Sequence, residues 1–332
     1  MLNKPKRIGV VGSGSWATAI TKILHENGNL VNWYIREEEI CQHIKEHGQN
    51  PTYISSVQFD RAKINPSNDI NSVVANSDIL IFVVPSAFLK IWIEPLTESL
   101  DGKLIVTAIK GIVPVENLTV AEYFNAHYKV PFDRIGVISG PCHAEEVALS
   151  RLSYLTFSCK KKSVAKEVAS YFESGYIKTV TGTDIYGTEY AAVLKNIYAI
   201  AAGVAHGLGY GDNFLAVLVC NAQLEMRRFL DKTYPSKRKV DTSAYLGDLL
   251  VTCYSQFSRN RTFGTMIGKG YTVKSTMLEM NMVAEGYYAA QCIKEINATF
   301  GVKMPITDAM YRILYERSAP AIEFKNLSDK LR

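Results

Sequence analysis

No CxxC pair occurs in this chain, and no histidine cluster lies near a cysteine at metal-ligand spacing. A metal site is therefore not expected. The six cysteines, Cys41, Cys142, Cys159, Cys220, Cys253 and Cys292, are scattered, as reduced and mostly buried cysteines are. A secretory h-region is missing too: Met1-Leu2-Asn3-Lys4-Pro5 runs straight into an apolar strand pattern. The most apolar long stretch, Ala191 to Gly211, is broken by Lys195, Asn196 and His206 and is not a membrane span. Internal repeats and low-complexity tracts are absent. The net charge of +5 is too modest to argue for nucleic acid. It suits an anionic small substrate drawn into a cleft, and equally a chance excess of lysines. These absences leave a cytoplasmic protein as the expectation.

What is present is ordinary globular composition, 47% apolar and 21% charged, over 332 residues. That length is about twice a common domain, so two domains are expected. Arg7 to Val11 reads as a buried strand, Gly12 to Ala17 as a turn, and Thr18 to Asn27 as a helix closed by Gly28. Leu30 to Ile35 is the next strand, completing a βαβ unit. Further apolar runs follow at Ile79 to Val84, Leu104 to Ile109, Ile135 to Ile138, Leu155 to Ser158 and Tyr176 to Val180, with a helical pattern at Val164 to Phe172. Short apolar strands alternating with helices imply a mainly parallel sheet covered on both faces. Beyond about residue 185 the strand pattern vanishes. Glu189 to Ala205 and Asn213 to Phe229 read as long helices. The expected architecture is an α/β Rossmann-type domain over 1–185 and an all-α domain over 186–332. The boundary falls at the turn chemistry of Thr181-Gly182-Thr183-Asp184, and the active site is expected between the domains.

Gly12-Ser13-Gly14-Ser15-Trp16-Ala17 fits the GxGxxA pattern between a strand and a helix. The first glycine makes the tight turn, the second lets backbone approach a pyrophosphate, and the small third residue lets helix pack on strand. At the end of the second strand, Arg36 can hold a 2′-phosphate and Glu37 a free 2′-hydroxyl, so both NAD and NADP stay open. Solvated charges at a strand end would look the same. Val84-Pro85-Ser86, Ile109-Lys110-Gly111 and Ile138-Ser139-Gly140-Pro141 fall at other carboxyl ends of strands, the edge where ligands bind in such sheets.

In the second half, Lys195 lies on a helix face shared with Ala191, Ala192, Ala199 and Ala202. A partly desolvated ammonium there exchanges a proton near neutral pH and can protonate the alkoxide formed by hydride reduction of a ketone. The competing reading is a lysine snorkelling to the surface. Asp248, after Gly247, is either a helix N-cap or a carboxylate that orients the lysine. Ser258-Arg259-Asn260-Arg261-Thr262 suits a phosphate, through bidentate arginine and donors at a helix start, or is a polar loop.

These segments together resemble the bacterial-type NAD(P)-dependent glycerol-3-phosphate dehydrogenases. The likeness covers almost the whole chain, through the glycine turn, Val84-Pro85-Ser86, Lys110-Gly111, Ser139-Gly140-Pro141 with Ala144-Glu145-Glu146-Val147, Leu194-Lys195-Asn196, Ala201-Ala202-Gly203, Gly207 to Asn213, Leu246-Gly247-Asp248-Leu249, Ser258 to Arg261 and Glu285-Gly286. The resemblance implies reversible hydride transfer between NAD(P)H and dihydroxyacetone phosphate, giving sn-glycerol 3-phosphate for phospholipid synthesis. It implies cofactor contacts at Gly12, Gly14, Ser15, Trp16, Arg36, Lys110 and Ala144. It makes Lys195 and Asp248 catalytic, and substrate-binding too, with Lys110, Gly140, Ser258, Arg259 and Asn260. Arg259 is shared with the cofactor, and Val283 and Glu285 close over its nicotinamide end. A homodimer is one expected assembly.

The sequence also departs from that family. Ala17 stands where glycine is usual, a mild change at a position that needs only a small side chain. Cys142 stands where serine is common, and Asp231 to Thr242 is basic and irregular, read as a surface loop. Two rivals are a reductase of similar architecture acting on a hydroxy acid and a catalytically dead dinucleotide-binding regulator. A carboxylate substrate does not specifically need the Ser258 to Arg261 cluster. A dead regulator has no need of Lys195 and Asp248, and both are present.

Overall fold

The computed structural model describes residues 6–280 and 283–332. The chain forms two compact units: one runs to Ile109 and resumes over Val120–Ile185, and the other comprises Lys110–Thr119 and Tyr186–Arg332. The strands, in chain order, are β1 (Ile8–Val11), β2 (Val31–Tyr34), β3 (Ile64–Ser67), β4 (Ile79–Phe82), β5 (Leu104–Thr107), β6 (Ile112–Val113), β7 (Leu118–Thr119), β8 (Ile135–Ser139), β9 (Ser153–Cys159) and β10 (Ile177–Gly182).

Eight of these build the first unit's sheet in the order β10-β9-β8-β5-β4-β1-β2-β3. Every neighbouring pair is parallel except β8 and β9, where Ser139 lies opposite Thr156. Strands β1, β2, β4 and β5 are buried at all four positions, which is why they read as unbroken apolar runs. The sequence reading lacks β3. That strand contains Pro66, which a sheet tolerates at an edge, and β3 is the edge strand.

The helices of this unit are α1 (Ser15–Glu26), α2 (Glu38–His47), α3 (Ile70–Ala75), α4 (Leu89–Ile93), α5 (Val120–Tyr128), α6 (Ala144–Ala148) and α7 (Lys162–Ser170). Helix α1 starts three residues before the expected Thr18. Its first turn is Ser15-Trp16-Ala17, so the end of the glycine motif is already helical. Gly28 follows its cap with φ +81°, the left-handed stop that the sequence indicated.

In the second unit, β6 and β7 form an antiparallel hairpin. The rest is helical: α8 (Ile185–Gly207), α9 (Asp212–Thr233), α10 (Asp248–Tyr254), α11 (Arg259–Gly268), α12 (Val273–Glu279), α13 (Glu285–Phe300), α14 (Pro305–Tyr315) and α15 (Pro320–Ser328). Every residue from 187 to 205 is buried, so α8 is the central rod of this unit. Helix α9 buries Leu215, Leu218, Val219, Ala222, Met226 and Phe229, the period of a one-sided helix. Proline opens α14 and α15, where its missing N–H costs nothing.

The basic segment Asp231 to Thr242 is less of a loop than expected. Helix α9 continues to Thr233, and the Arg238 guanidinium folds back to donate to the carbonyls of Leu230 and Tyr234, capping the helix end. Among the described residues, no helix is long and apolar enough to cross a membrane.

Candidate active site

The first unit presents backbone rather than side chains. Gly12 ends β1 with φ +138°, and a Cβ there would run into the carbonyl of Val83, so the turn needs glycine. Gly14 differs: a Cβ built on it meets nothing within 4 Å among the described residues. Packing does not require that glycine, and the space beside it stays open. Gly14 also caps α1 without a side-chain hydrogen bond, and the first turn of α1 holds no acidic residue. Open space at a helix N-terminus without a side-chain cap fits the pyrophosphate of a dinucleotide. Ala17 is fully buried, which explains the small third position of the motif.

Arg36, after β2, is half-exposed. Its guanidinium lies 5.0 Å from the centre of the Trp92 ring and 3.9 Å from Glu37 Oε1. The two candidate ribose-binding side chains therefore stand side by side. Gly140 has φ +110°, and a Cβ there would come 2.7 Å from the Tyr154 carbonyl. Ala144 opens α6, and Cys142 just before it is buried. The other cysteines are buried as expected except Cys220, which is exposed.

The second unit presents charge. Lys195 is 4% exposed, so the snorkelling alternative fails. Its Nζ lies 2.5 Å from Asp248 Oδ1 and 3.1 Å from Thr252 Oγ1. The Thr252 hydroxyl donates to the Asp248 carbonyl at 2.6 Å, leaving its oxygen to accept from the ammonium. Asp248 is 1% exposed and sits at the start of α10, yet its carboxylate caps nothing. The N-cap alternative is thus replaced by an ion pair across 53 residues. The second carboxylate oxygen has no hydrogen-bond partner among the described residues, and Lys110 Nζ stands 3.8 Å from it. Asn196 Nδ2 holds the Lys110 carbonyl at 2.8 Å.

Burial pushes the Lys195 ammonium down to about 7 from the usual lysine value. The Asp248 charge opposes that shift and the Lys110 charge adds to it. An ammonium poised near neutrality can give a proton and take it back.

Beside this pair, α11 opens with the polar cluster. Ser258 is buried and caps the helix by accepting from the Arg261 amide at 3.3 Å, so part of its hydrogen bonding is structural. Arg259 is exposed at the first helical position. Asn260 Oδ1 accepts from the Gly286 amide at 2.9 Å, tying the cluster to the start of α13, where Glu285 is the first residue. Val283 precedes that start and is partly buried. The structure thus gathers Lys110, Lys195 and Asp248 in one cluster. Ser258, Arg259 and Asn260 form a second, and Gly12, Gly14, Ser15, Trp16, Arg36, Gly140 and Ala144 lie in the other unit.

Sequence reasoning missed Thr252 as part of the site. The only local signal is its place one turn after Asp248, the spacing that puts both on one helix face.

Two family models match the chain. The N-terminal model of NAD-dependent glycerol-3-phosphate dehydrogenase covers residues 7–165, and the C-terminal model covers 184–325. A curated relative from Exiguobacterium, glycerol-3-phosphate dehydrogenase [NAD(P)+], is 35% identical over 96% of this chain and 94% of its own. The crystal structure of glycerol-3-phosphate dehydrogenase from Coxiella burnetii superposes with a TM-score of 0.90 at 26% identity, over 97% of this chain and 98% of that one. A ketopantoate reductase from Ralstonia eutropha reaches 0.61 at 14% identity, over 96% of this chain and 99% of that one, and shares the fold alone.

Proposed function

The chain belongs to the NAD-dependent glycerol-3-phosphate dehydrogenase family, and we propose that it interconverts dihydroxyacetone phosphate and sn-glycerol 3-phosphate with NAD or NADP. The observation that carries this reading is the buried Lys195–Asp248 pair with Lys110 beside it. Reduction of a ketone needs one proton placed at the oxygen, and a lysine held near neutrality by burial meets that need.

A bound nicotinamide dinucleotide supplies the hydride in reduction and accepts it in oxidation. Gly12, Gly14, Ser15 and Trp16 hold its pyrophosphate end, and Ala144 lines its site. Arg36 and Glu37 meet the adenosine ribose, which leaves both cofactors usable. The chain's own residues do the remaining work. Lys195 donates its proton to the carbonyl oxygen as carbon 2 takes the hydride, and the amine is reprotonated from solvent. Asp248 holds the amine in place, and its free oxygen accepts from a substrate hydroxyl. Lys110 adds positive charge at the forming alkoxide and reaches the cofactor. Ser258, Arg259 and Asn260 take the phosphate at the start of α11, where helix N–H groups and a guanidinium favour an anion. Arg259 also meets the cofactor, and Val283 and Glu285 close over its nicotinamide end. Gly140 offers backbone to the substrate.

On this reading residues up to 185 serve the dinucleotide and residues 186–332 the substrate, with Lys110 working alongside the second set. The protein is cytoplasmic and supplies glycerol 3-phosphate for phospholipid synthesis. Self-association as a dimer belongs to the same reading. The direct test is oxidation of NADH and NADPH followed at saturating dihydroxyacetone phosphate. Turnover with either cofactor supports the proposal, and turnover with neither overturns it.

A further inference from the structure

The helix that carries Lys195 and the helix that begins at the Ser258–Asn260 cluster touch through glycine. Gly203 and Gly207 are one turn apart on α8, and Gly264 and Gly268 are one turn apart on α11. Each faces main chain of the other helix. A Cβ on Gly203 would strike the Arg261 carbonyl and come 2.8 Å from the Thr265 amide nitrogen. One on Gly264 would strike the Ile200 carbonyl and come 2.9 Å from the Val204 amide nitrogen. One turn further on, Gly207 meets the Thr265 carbonyl and Gly268 the Val204 carbonyl.

Side chains usually hold helix axes about 8–10 Å apart. Here backbone rests on backbone, as paired small residues four apart allow. A fifth glycine joins the stripe near the site. A Cβ on Gly286 would lie 2.5 Å from the Asn196 carbonyl, and the Gly286 amide donates to Asn260 Oδ1. The carbonyls of Asn196, Ile200 and Val204 are thus each backed by a glycine, starting from the residue next to Lys195.

We propose that Gly203 and Gly264 are positioning residues whose main-chain contact fixes the separation between the Lys195 amine and the phosphate-binding start of α11. The inference rests on the proposed function above. In dihydroxyacetone phosphate the carbonyl oxygen and the phosphate are a fixed few bonds apart, and the lysine and α11 must meet both ends at once. A contact through side chains could slide or repack, whereas a main-chain contact has one closest distance. An alanine at either glycine requires about 1 Å of separation to relieve the overlap. Misplacement of that size at a reacting centre costs on the order of 10²-fold.

The test compares kcat/KM for dihydroxyacetone phosphate with that for dihydroxyacetone, which has no phosphate and does not span the two helices. In Gly264→Ala and Gly203→Ala the ratio should fall at least about tenfold, within the cost of such a misplacement. In Gly268→Ala, one turn further from the site, it should fall less at a similar loss of Tm. A crossing that merely holds the fold together would lower both substrates by the same factor, and that result overturns the proposal. If the wild-type protein does not reduce dihydroxyacetone phosphate, the functional reading itself has failed. If it does and the ratio stays constant, only the positioning role has failed. Should Gly264→Ala not fold, Gly203→Ala decides by the same ratio. If neither folds, the crossing cannot be loosened without losing the fold, and the positioning role is rejected.

Discussion

The two units build their sites from different material. In the first, the candidate nucleotide region is made of backbone: a tight glycine turn at Gly12, open space at Gly14 and the N-terminus of α1, which has no side-chain cap. In the second, the candidate chemistry is made of buried charged side chains, Lys195 against Asp248 with Lys110 at its edge. A backbone site tolerates a range of side chains around it and depends on space. A buried ion pair depends on both partners, because removing one leaves an uncompensated charge. The same family fold therefore presents one region sensitive to added bulk and another sensitive to lost charge.

Substitutions that separate the two regions follow from this, the largest effect first. Lys195→Met keeps length and apolarity and removes the proton. It should lower kcat by about 10²–10⁴-fold, while NADH binding by fluorescence titration changes little. A variant that keeps more than about a tenth of wild-type kcat speaks against the proton-transfer role. Arg259→Ala removes a charged contact from the exposed start of α11. Its kcat/KM for dihydroxyacetone phosphate should fall by about 2–4 kcal/mol, and an unchanged value in a folded variant would remove Arg259 from the phosphate site.

Smaller effects sharpen the contrast. Thr252→Val deletes one charge-assisted hydrogen bond to the ammonium and should cost about 1.5–3 kcal/mol in kcat with no change in KM for NADH. A change in cofactor KM instead would mean that Thr252 does not act through Lys195. Arg36→Ala acts on the other unit, where it should raise the KM for NADPH more than that for NADH and leave kcat nearly intact. Equal losses for the two cofactors would show that Arg36 does not read the 2′-phosphate.

The backbone region was the more legible of the two in the sequence. The spacing of Gly12, Gly14 and Ala17 between a strand and a helix is local, and so is the physics behind it. Strand β3 was not legible, because Pro66 argues against a strand unless the edge position is known. Nor was the antiparallel pairing of β8 and β9, since strand direction leaves no trace in an apolar run. For Lys195 the alanine-lined face was visible and its burial was not. The choice between a capping and an ion-paired Asp248 depended on a partner 53 residues away. Ser258 was read for its hydroxyl, which the structure partly commits to capping α11.

The central claim is that Lys195 passes the proton, and its pH dependence tests this most directly. Burial brings the ammonium to about 7, so the protonated form that reduction needs is lost as pH rises through that value. The free amine that oxidation needs is gained over the same range. In the wild-type enzyme kcat/KM for dihydroxyacetone phosphate should therefore fall with rising pH around 7, and kcat/KM for glycerol 3-phosphate should rise. Opposite limbs crossing near neutrality are the predicted result. Two limbs of the same sign, or two flat profiles, would contradict the account.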